Sequence, residues 1–219
     1  MSNNITLEEI IPDDIFVGTS LILRQKGLFL YGMRPERQEN EKSIIELTGI
    51  GGGVEQDDNS FSMGARRETQ EETGSRLKII DCERTLFVSG ATNVKSLGLE
   101  GKERPAAIVF RNYKTPPHKP WHKPNAGEAC LIVYFGELLD DPEPMMELPW
   151  LIWLNASQVL RTAWEDVQLT ELLESGAVLQ TANNKPPNKN SWIRMTDSQE
   201  ALGIALGNSL VSFYEKVGM

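Results

Sequence analysis

Cysteine and histidine are scarce in this sequence, and each shortage excludes a class of site. The 219 residues include two cysteines, Cys82 and Cys130, which lie far apart and predict neither a disulfide framework nor a zinc site. The two histidines, His118 and His122, lie among prolines that exclude a helix, so they lack the i, i+4 geometry of a helical metal pair. Two free thiols are typical of a reducing compartment, and we expect the protein in the cytoplasm.

Long apolar runs and clusters of basic residues are also missing. The sequence contains no run of 18 apolar residues, and we expect neither a membrane-spanning helix nor a secretory signal. Lys and Arg number 22 against 31 Asp and Glu, which gives a formal net charge of −9. Nucleic acids and anionic membranes bind clustered positive charge, so this composition argues against both as partners. A phosphorylated substrate is compatible with such a chain if cations mediate the contact.

The chain is long enough to bury a sizeable core, and its patterns predict an α+β domain. Pro35–Lys42 is expected to be a charged loop, and Gln25-Lys26-Gly27 a turn between the first two strands. Apolar runs bounded by turn residues predict strands at Ile15–Arg24, Leu28–Met33, Ser43–Leu47, Ala106–Tyr113, Ala129–Leu138 and Trp150–Leu154. Leu77–Val88 is expected to be a strand or a bent strand pair, interrupted at Asp81-Cys82-Glu83. Caps and apolar periodicity predict helices from about Ser60 to Gly74, from Asn155 to about Arg161, over Asp166–Glu174 and over Ser198–Val217.

The stretch from Gly51 to Gly74 carries the main chemical signal. Glu68, Glu71 and Glu72 stand at i, i+3 and i+4 of the predicted helix, so their side chains share one face. Like charges at this spacing repel by roughly 0.2–0.5 kcal/mol per pair on an exposed helix. A solvated acidic face tolerates that repulsion, whereas a hard cation such as Mg2+ would remove it. Both interpretations fit the carboxylates alone.

The surrounding residues resemble the Nudix box, G-x5-E-x7-R-E-U-x-E-E-x-G-U, in which U is a bulky apolar residue. The matching segment runs from about Gly53 to Ser75. Arg67-Glu68 supplies R-E, Glu71-Glu72 supplies E-E, and Gly74 supplies the closing glycine. Upstream, Gly51-Gly52 and Val54-Glu55 are similar to the G-G-x-V-E entry of that family.

Three positions depart from the family pattern. Asn59 stands in place of the first Glu, with Asp57 and Asp58 just before it. Aligning the loop on Val54-Glu55 instead implies a one-residue insertion, so the counterpart of that Glu stays open. Thr69 and Ser75 occupy the two bulky apolar positions. The R-E-x-x-E-E block is intact, and hydrolytic chemistry is therefore expected.

The resemblance implies a Nudix-like α/β/α sandwich with a mixed β-sheet, within a single domain spanning 1–219. We expect its core over about residues 14–175, and a C-terminal extension over 176–219 that ends in a helix. The implied activity is attack by water on the diphosphate bond of a nucleoside diphosphate derivative, with Mg2+ or Mn2+ bound. A non-catalytic Nudix-type nucleotide sensor is the alternative, motivated by Asn59, Thr69 and Ser75.

The resemblance also implies roles for individual residues of the box. Glu71, Glu72 and a carbonyl oxygen near Gly52 are the expected metal ligands. Glu68 is expected to bind metal or to take a proton from water. Arg67 is expected to hold Glu68 through a charge-assisted hydrogen bond.

Candidate residues also lie outside the box. Family members often recruit a further glutamate, and of Glu143 and Glu147 we favour Glu147 as catalytic residue. In the proline-rich segment 114–128, Trp121 and Lys119 are candidates for stacking a base and meeting phosphates. The same segment is equally suited to packing against a second copy of the chain, which would make a homodimer.

Overall fold

One mixed β-sheet with helices on both faces forms the fold. The structure is a computed structural model that describes residues 5–12, 15–89, 94–112, 128–145, 147–182 and 185–195. Its strands are β1 (Phe16–Gln25), β2 (Leu28–Met33), β3 (Arg37–Glu39), β4 (Lys42–Thr48), β5 (Leu77–Ile80), β6 (Thr85–Ser89), β7 (Val94–Leu97), β8 (Ala107–Asn112), β9 (Glu128–Leu138), β10 (Trp150–Leu154), β11 (Val167–Gln168), β12 (Val178–Thr181) and β13 (Trp192–Met195). Its helices are α1 (Leu7–Ile10), α2 (Phe61–Thr73), α3 (Ala156–Trp164) and α4 (Leu169–Glu174).

The sheet combines parallel and antiparallel pairs. Its main path runs β11-β13-β4-β2-β1-β9-β8-β6-β7, with β10 pairing both β2 and β12, β3 pairing β4, and β5 pairing β9. Three pairs in the described ranges are parallel: β1 with β9, β13 with β4, and β6 with β8. The predicted α+β class with a mixed sheet is confirmed.

Alternating side chains of the strands supply two cores, one on each face of the sheet. Along β1, Leu21 and Leu23 pack into one core, and Ile22 packs into the other. The first core also contains Ala65, which brings α2 onto that face, and the second contains Leu169 and Leu172 of α4. The sheet is therefore covered on both faces, and α2 lies on the face that carries the site.

The glycine triplet, Gly51 to Gly53, runs alongside β1. The backbone N–H of Thr19 donates to the Gly52 carbonyl at 2.8 Å, and the N–H of Val54 donates to Val17 at 3.1 Å. Gly51 has φ of 142°, and a Cβ there would lie 2.9 Å from the carbonyl carbon of Thr19. Only glycine fits this close backbone approach.

Most predicted elements are present, but the predicted loop and one predicted helix need correction. The Pro35–Lys42 loop contains strand β3, because its turn at Asn40 and Glu41 lets it pair back onto β4. The Asp166–Glu174 segment begins as β11, since Val167 and Gln168 pair with β13, and α4 starts only at Leu169. Local helical periodicity in that segment is overridden by sheet pairing.

Four elements were not predicted at all. Helix α1 forms in the polar N-terminal stretch, where Thr6 and Glu9 make a reciprocal capping box. Strand β7 pairs with β6. Residues 178–195, within the predicted extension, supply β12 and β13 to the same sheet. The predicted helix Ser198–Val217 lies outside the described residues, and a single domain over 1–219 stays a prediction.

A membrane-crossing helix is not found in the described ranges. None of the helices there has the length and apolar character that such a helix needs.

Candidate active site

Helix α2 presents the acidic residues next to the glycine loop. Its N-cap is Ser60, whose hydroxyl accepts a hydrogen bond from the Met63 N–H at 3.2 Å. It ends at Gly74, which has φ of 66° and donates its N–H to the Gln70 carbonyl. Both predicted helix boundaries are confirmed, and the helix places Glu68 and Glu72 against the glycine triplet.

Glu72 is the most deeply buried carboxylate of the site. It is 7% exposed, and one oxygen accepts a hydrogen bond from the Gly51 N–H at 2.8 Å. Burial raises the pKa of Glu72 to about 8, and the negative charges of Glu68 and Glu147 act in the same direction. The Gly51 hydrogen bond and the positive charge of Arg34 oppose this rise. A buried carboxylate facing two others is costly to ionise unless a cation lies nearby.

Glu68 packs directly on the glycine loop. A Cβ at position 52 would lie 2.5 Å from the Glu68 carboxylate carbon, so the side chain occupies the space that glycine leaves open. Burial raises the pKa of Glu68, with the charges of Glu71 and Glu55 adding to the rise, although Arg67 opposes it. Glu68 is therefore held close to the loop and is easier to protonate than an exposed glutamate.

Arg67 links the acidic loop to the helix. Its Nη2 donates to the Gly53 carbonyl at 2.9 Å and to Asp58 at 3.1 Å, and its Nη1 donates to Glu68 at 2.9 Å and to Glu71 at 3.1 Å. The hydrogen bond to Asp58 is the main cause of the raised pKa of Arg67. Burial works against ionisation of Asp58, but the hydrogen bonds from Arg67 and the Glu55 N–H lower its pKa overall. Arg67 thus fixes the position of Glu68.

Glu71 stands apart from the other two carboxylates. Its side chain is 58% exposed and pairs with Arg67. In the described part of the chain, no group of three or more Asp, Glu, His or Cys side chains is arranged to hold a metal ion. The predicted set of Glu68, Glu71 and Glu72 is therefore not gathered around one point in this structure.

The chemistry of the site nevertheless fits a hard divalent cation. Glu68 and Glu72 are carboxylates with restricted solvation that contact the glycine loop, Glu68 at Gly52 and Glu72 through the Gly51 N–H. The Gly52 carbonyl oxygen has a second lone pair besides the one that accepts from Thr19. Mg2+ takes oxygen ligands and commonly binds through one or two carboxylates, with waters and substrate phosphates completing the shell. Two close carboxylates are enough for that mode of binding.

Of the predicted residues outside the box, the two glutamates lie near α2, and the other two are not among the described residues. Glu147 is exposed in a turn before β10, near enough to Glu72 for their charges to interact. Glu143 donates its backbone N–H to the Thr73 carbonyl at the end of α2. Trp121 and Lys119 lie outside the described residues, as do the two histidines.

Three residues of the site were not singled out from the sequence. Asp58 anchors Arg67, and its place two residues before the N-cap Ser60 is the available signal in the sequence. The charge of Arg34, which follows β2, acts on Glu72, and no local motif marks this residue. Thr19 Oγ1 is the one sealed side-chain polar atom without a partner among the described residues. Glu55 of the G-G-x-V-E entry forms an ion pair with Arg67 at 3.6 Å.

Comparison with known proteins identifies the family. The family model described as NUDIX domain matches residues 17–173, which is more than half of the chain. This chain belongs to the Nudix family. It is accordingly a Nudix hydrolase acting on phosphoric anhydrides, as the sequence predicted. No curated protein matches it.

Solved structures similar to this Nudix chain are distant ones. A NUDIX hydrolase from Nitrosomonas europaea is 15% identical with a TM-score of 0.38, covering 67% of this chain and 61% of that one. A MutT protein from Methanosarcina mazei is 19% identical with a TM-score of 0.40, covering 68% and 83%. An ADP-ribose pyrophosphatase from Streptococcus suis is 13% identical with a TM-score of 0.35, covering 89% and 91%. The family assignment depends on the family model and not on these similarities.

Proposed function

We propose that the protein hydrolyses the diphosphate bond of a nucleoside diphosphate derivative by attack of water, with Mg2+ or Mn2+ bound at the site. The observation that carries this proposal is the pair of desolvated carboxylates, Glu68 and Glu72, packed against the glycine loop of a Nudix box. A diphosphate is negatively charged, so an acidic site needs cations in order to bind it. Bound Mg2+ or Mn2+ would neutralise that charge and lower the pKa of a water ligand.

The proposed ligands are Glu68, Glu71, Glu72 and the Gly52 carbonyl. Glu72 is oriented by its hydrogen bond from Gly51, which leaves its second oxygen available. Glu71 is solvated and, among the described residues, pairs with Arg67 alone, so it is free to turn when a cation and a substrate arrive. The two buried carboxylates supply the fixed part of the site.

Proton transfer is the second role of the proposed site. Glu68 combines restricted solvation with a raised pKa, which suits a group that takes a proton from water near neutral pH. Arg67 positions it through the 2.9 Å hydrogen bond and is itself anchored by Asp58 and Gly53. Glu147 is a second candidate base, because it is exposed and its charge reaches Glu72. Trp121 and Lys119 are proposed to contact the substrate's base and phosphates.

One observation favours a second candidate, a nucleotide sensor that binds without cleaving. The Arg67 guanidinium bonds both Glu68 and Glu71, and no three metal-binding side chains converge in the ranges that the structure describes. If that arrangement persists with nucleotide bound, the carboxylates stay paired with arginine and do not take up a cation.

A substrate panel distinguishes the two candidates. Nucleoside triphosphates, ADP-ribose, dinucleoside polyphosphates and sugar nucleotides are incubated with the protein, with and without Mg2+, and release of nucleoside monophosphate or phosphate is measured. Hydrolysis predicts Mg2+-dependent release from at least one class, lost in Glu68→Gln and kept in Glu174→Gln, an exposed glutamate at the end of α4. Binding of a nucleotide without release from any class would favour the sensor.

A further inference from the structure

A second cleft lies on the flank of α2 opposite the carboxylates. It has a volume of about 320 Å3 and lies between the start of α1, the start of α2, the connection Leu99–Pro105 and Tyr134 of β9. Arg66 marks this flank, because its guanidinium bonds Glu103 of the connection. Successive helical residues are about 100° apart, so Arg66 and Glu68 point in nearly opposite directions. The cleft is therefore separate from the proposed hydrolytic site.

Tyr134 places a hydroxyl without a partner at this cleft. The residue is 2% exposed and lines the cleft, and its hydroxyl makes no hydrogen bond to any described residue. The only sealed side-chain polar atom lacking a partner in the described ranges is Thr19 Oγ1, so the Tyr134 hydroxyl must keep contact with solvent. For a side chain this deeply buried, the cleft is where that contact occurs. Buried hydroxyls are normally hydrogen-bonded, which makes this one a binding group for a ligand.

Apolar side chains form one part of the wall of the cleft, and polar or charged residues form the rest. Leu7, Phe61, Leu99 and Pro105 line it, and Leu99 is 6% exposed. A volume of about 320 Å3 lies at the lower end of the range of small-molecule sites, roughly 300–1,000 Å3. An apolar patch beside a small number of polar groups is typical of such sites, and a single ring is the size of compound that fits.

The charges at the rim favour a cation. Arg66 is neutralised by its ion pair with Glu103, and Arg104 by a 3.0 Å hydrogen bond to Asp81. On the connection, Glu100 and Lys102 offset each other in formal charge. Glu8 remains: it lines the same cleft as Tyr134, is exposed and makes no ion pair with any described residue. The uncompensated charge beside the hydroxyl is thus negative.

We propose that this cleft binds a small cationic aromatic compound, such as an amine or amidine carried on one ring. The ring packs between Leu7, Phe61 and Leu99, an N–H of the ligand donates to the Tyr134 hydroxyl, and its charge faces Glu8. The proposal does not depend on the proposed hydrolysis, since none of these residues belongs to the carboxylate site.

Benzamidine and benzoate test the proposal, because they share a ring and carry opposite charges. Each is titrated into the full-length protein and binding is measured by calorimetry and by NMR chemical shifts. Benzamidine is expected to saturate one site with a Kd on the order of 1 mM, and benzoate to bind at least about tenfold more weakly. Tyr134→Phe should weaken benzamidine binding about five- to tenfold, while the buried-tyrosine control Tyr31→Phe leaves it unchanged.

A second variant and a competition experiment complete the test. Glu8→Gln should weaken benzamidine binding about two- to fivefold. This substitution is at an exposed position, so it tests the proposal even if Tyr134→Phe lowers the Tm of the protein. Excess Mg2+ with pyrophosphate should leave benzamidine binding unchanged, whereas displacement would place the probe at the carboxylates and overturn the proposal. It is equally overturned by absence of saturable binding, by equal affinity for benzoate, or by folded Tyr134→Phe and Glu8→Gln variants that bind like the wild type.

Discussion

Glu72→Gln should make the metal-free protein more stable while removing its activity. Glu72 is 7% exposed, and its pKa in the folded protein is about 8 against an ordinary 4.5. Between these values the folded protein keeps a proton that the unfolded chain releases. Raising the pH therefore favours unfolding, and the stability of the wild type falls from pH 4.5 to pH 8. Glutamine has the same shape and carries no charge to desolvate.

The size of the expected gain in stability follows from the difference between the two pKa values of Glu72. At pH 8 the interval corresponds to about 4 kcal/mol of free energy of unfolding. Part of it is lost because a neutral amide oxygen accepts the Gly51 hydrogen bond more weakly than a carboxylate does. We expect a net gain of about 2 kcal/mol at pH 8, equivalent to about 4–8 °C in Tm for a chain of this length. Below pH 4.5 the gain should disappear, since Glu72 is then neutral in both states.

Thermal unfolding in the presence of a chelator, from pH 4 to pH 8, measures this gain. Glu71→Gln is the matched control, because its side chain is 58% exposed on the same helix and its charge is already solvated. Adding Mg2+ should raise the Tm of the wild type more than that of Glu72→Gln, since the variant lacks the proposed ligand. A chelated Glu72→Gln protein that melts at or below the wild-type temperature at pH 8 would refute the reasoning.

Three more predictions concern neighbouring residues. Gly52→Ala should lower kcat at least about tenfold, because its Cβ would displace the Glu68 carboxylate, whereas Gly98→Ala, with open space around it, should leave steady-state kinetics unchanged. Glu147→Gln should lower turnover without changing Tm, as its side chain is exposed; wild-type kinetics would remove it from the mechanism. Hydrogen bonds from Arg76 lower the pKa of Asp140 to about 2, so this contact stabilises the fold above pH 4 and is lost as the pH falls toward 2. The difference in Tm between wild type and Asp140→Asn should accordingly shrink over that range, and a constant difference would contradict the assignment.

The sequence by itself determined the elements whose signals are local. Ser60 and Gly74 mark the ends of α2 because a cap and a left-handed residue act within one helical turn. The strands of the first hairpin and β10 follow from apolar runs between turn residues. The Nudix box can be recognised from the sequence for the same reason, because its glycines, arginine and carboxylates lie within one loop and one helix.

Only the tertiary structure decided which carboxylates are desolvated and what surrounds them. Glu71 and Glu72 are adjacent in a polar run, yet one is solvated and the other is buried under the glycine loop. Arg34 and Glu147 reach Glu72 from other parts of the fold, and β13 joins the sheet from a segment with no strong strand pattern. Burial and charge interactions depend on distances between residues remote in sequence, and those distances exist only once the chain has folded.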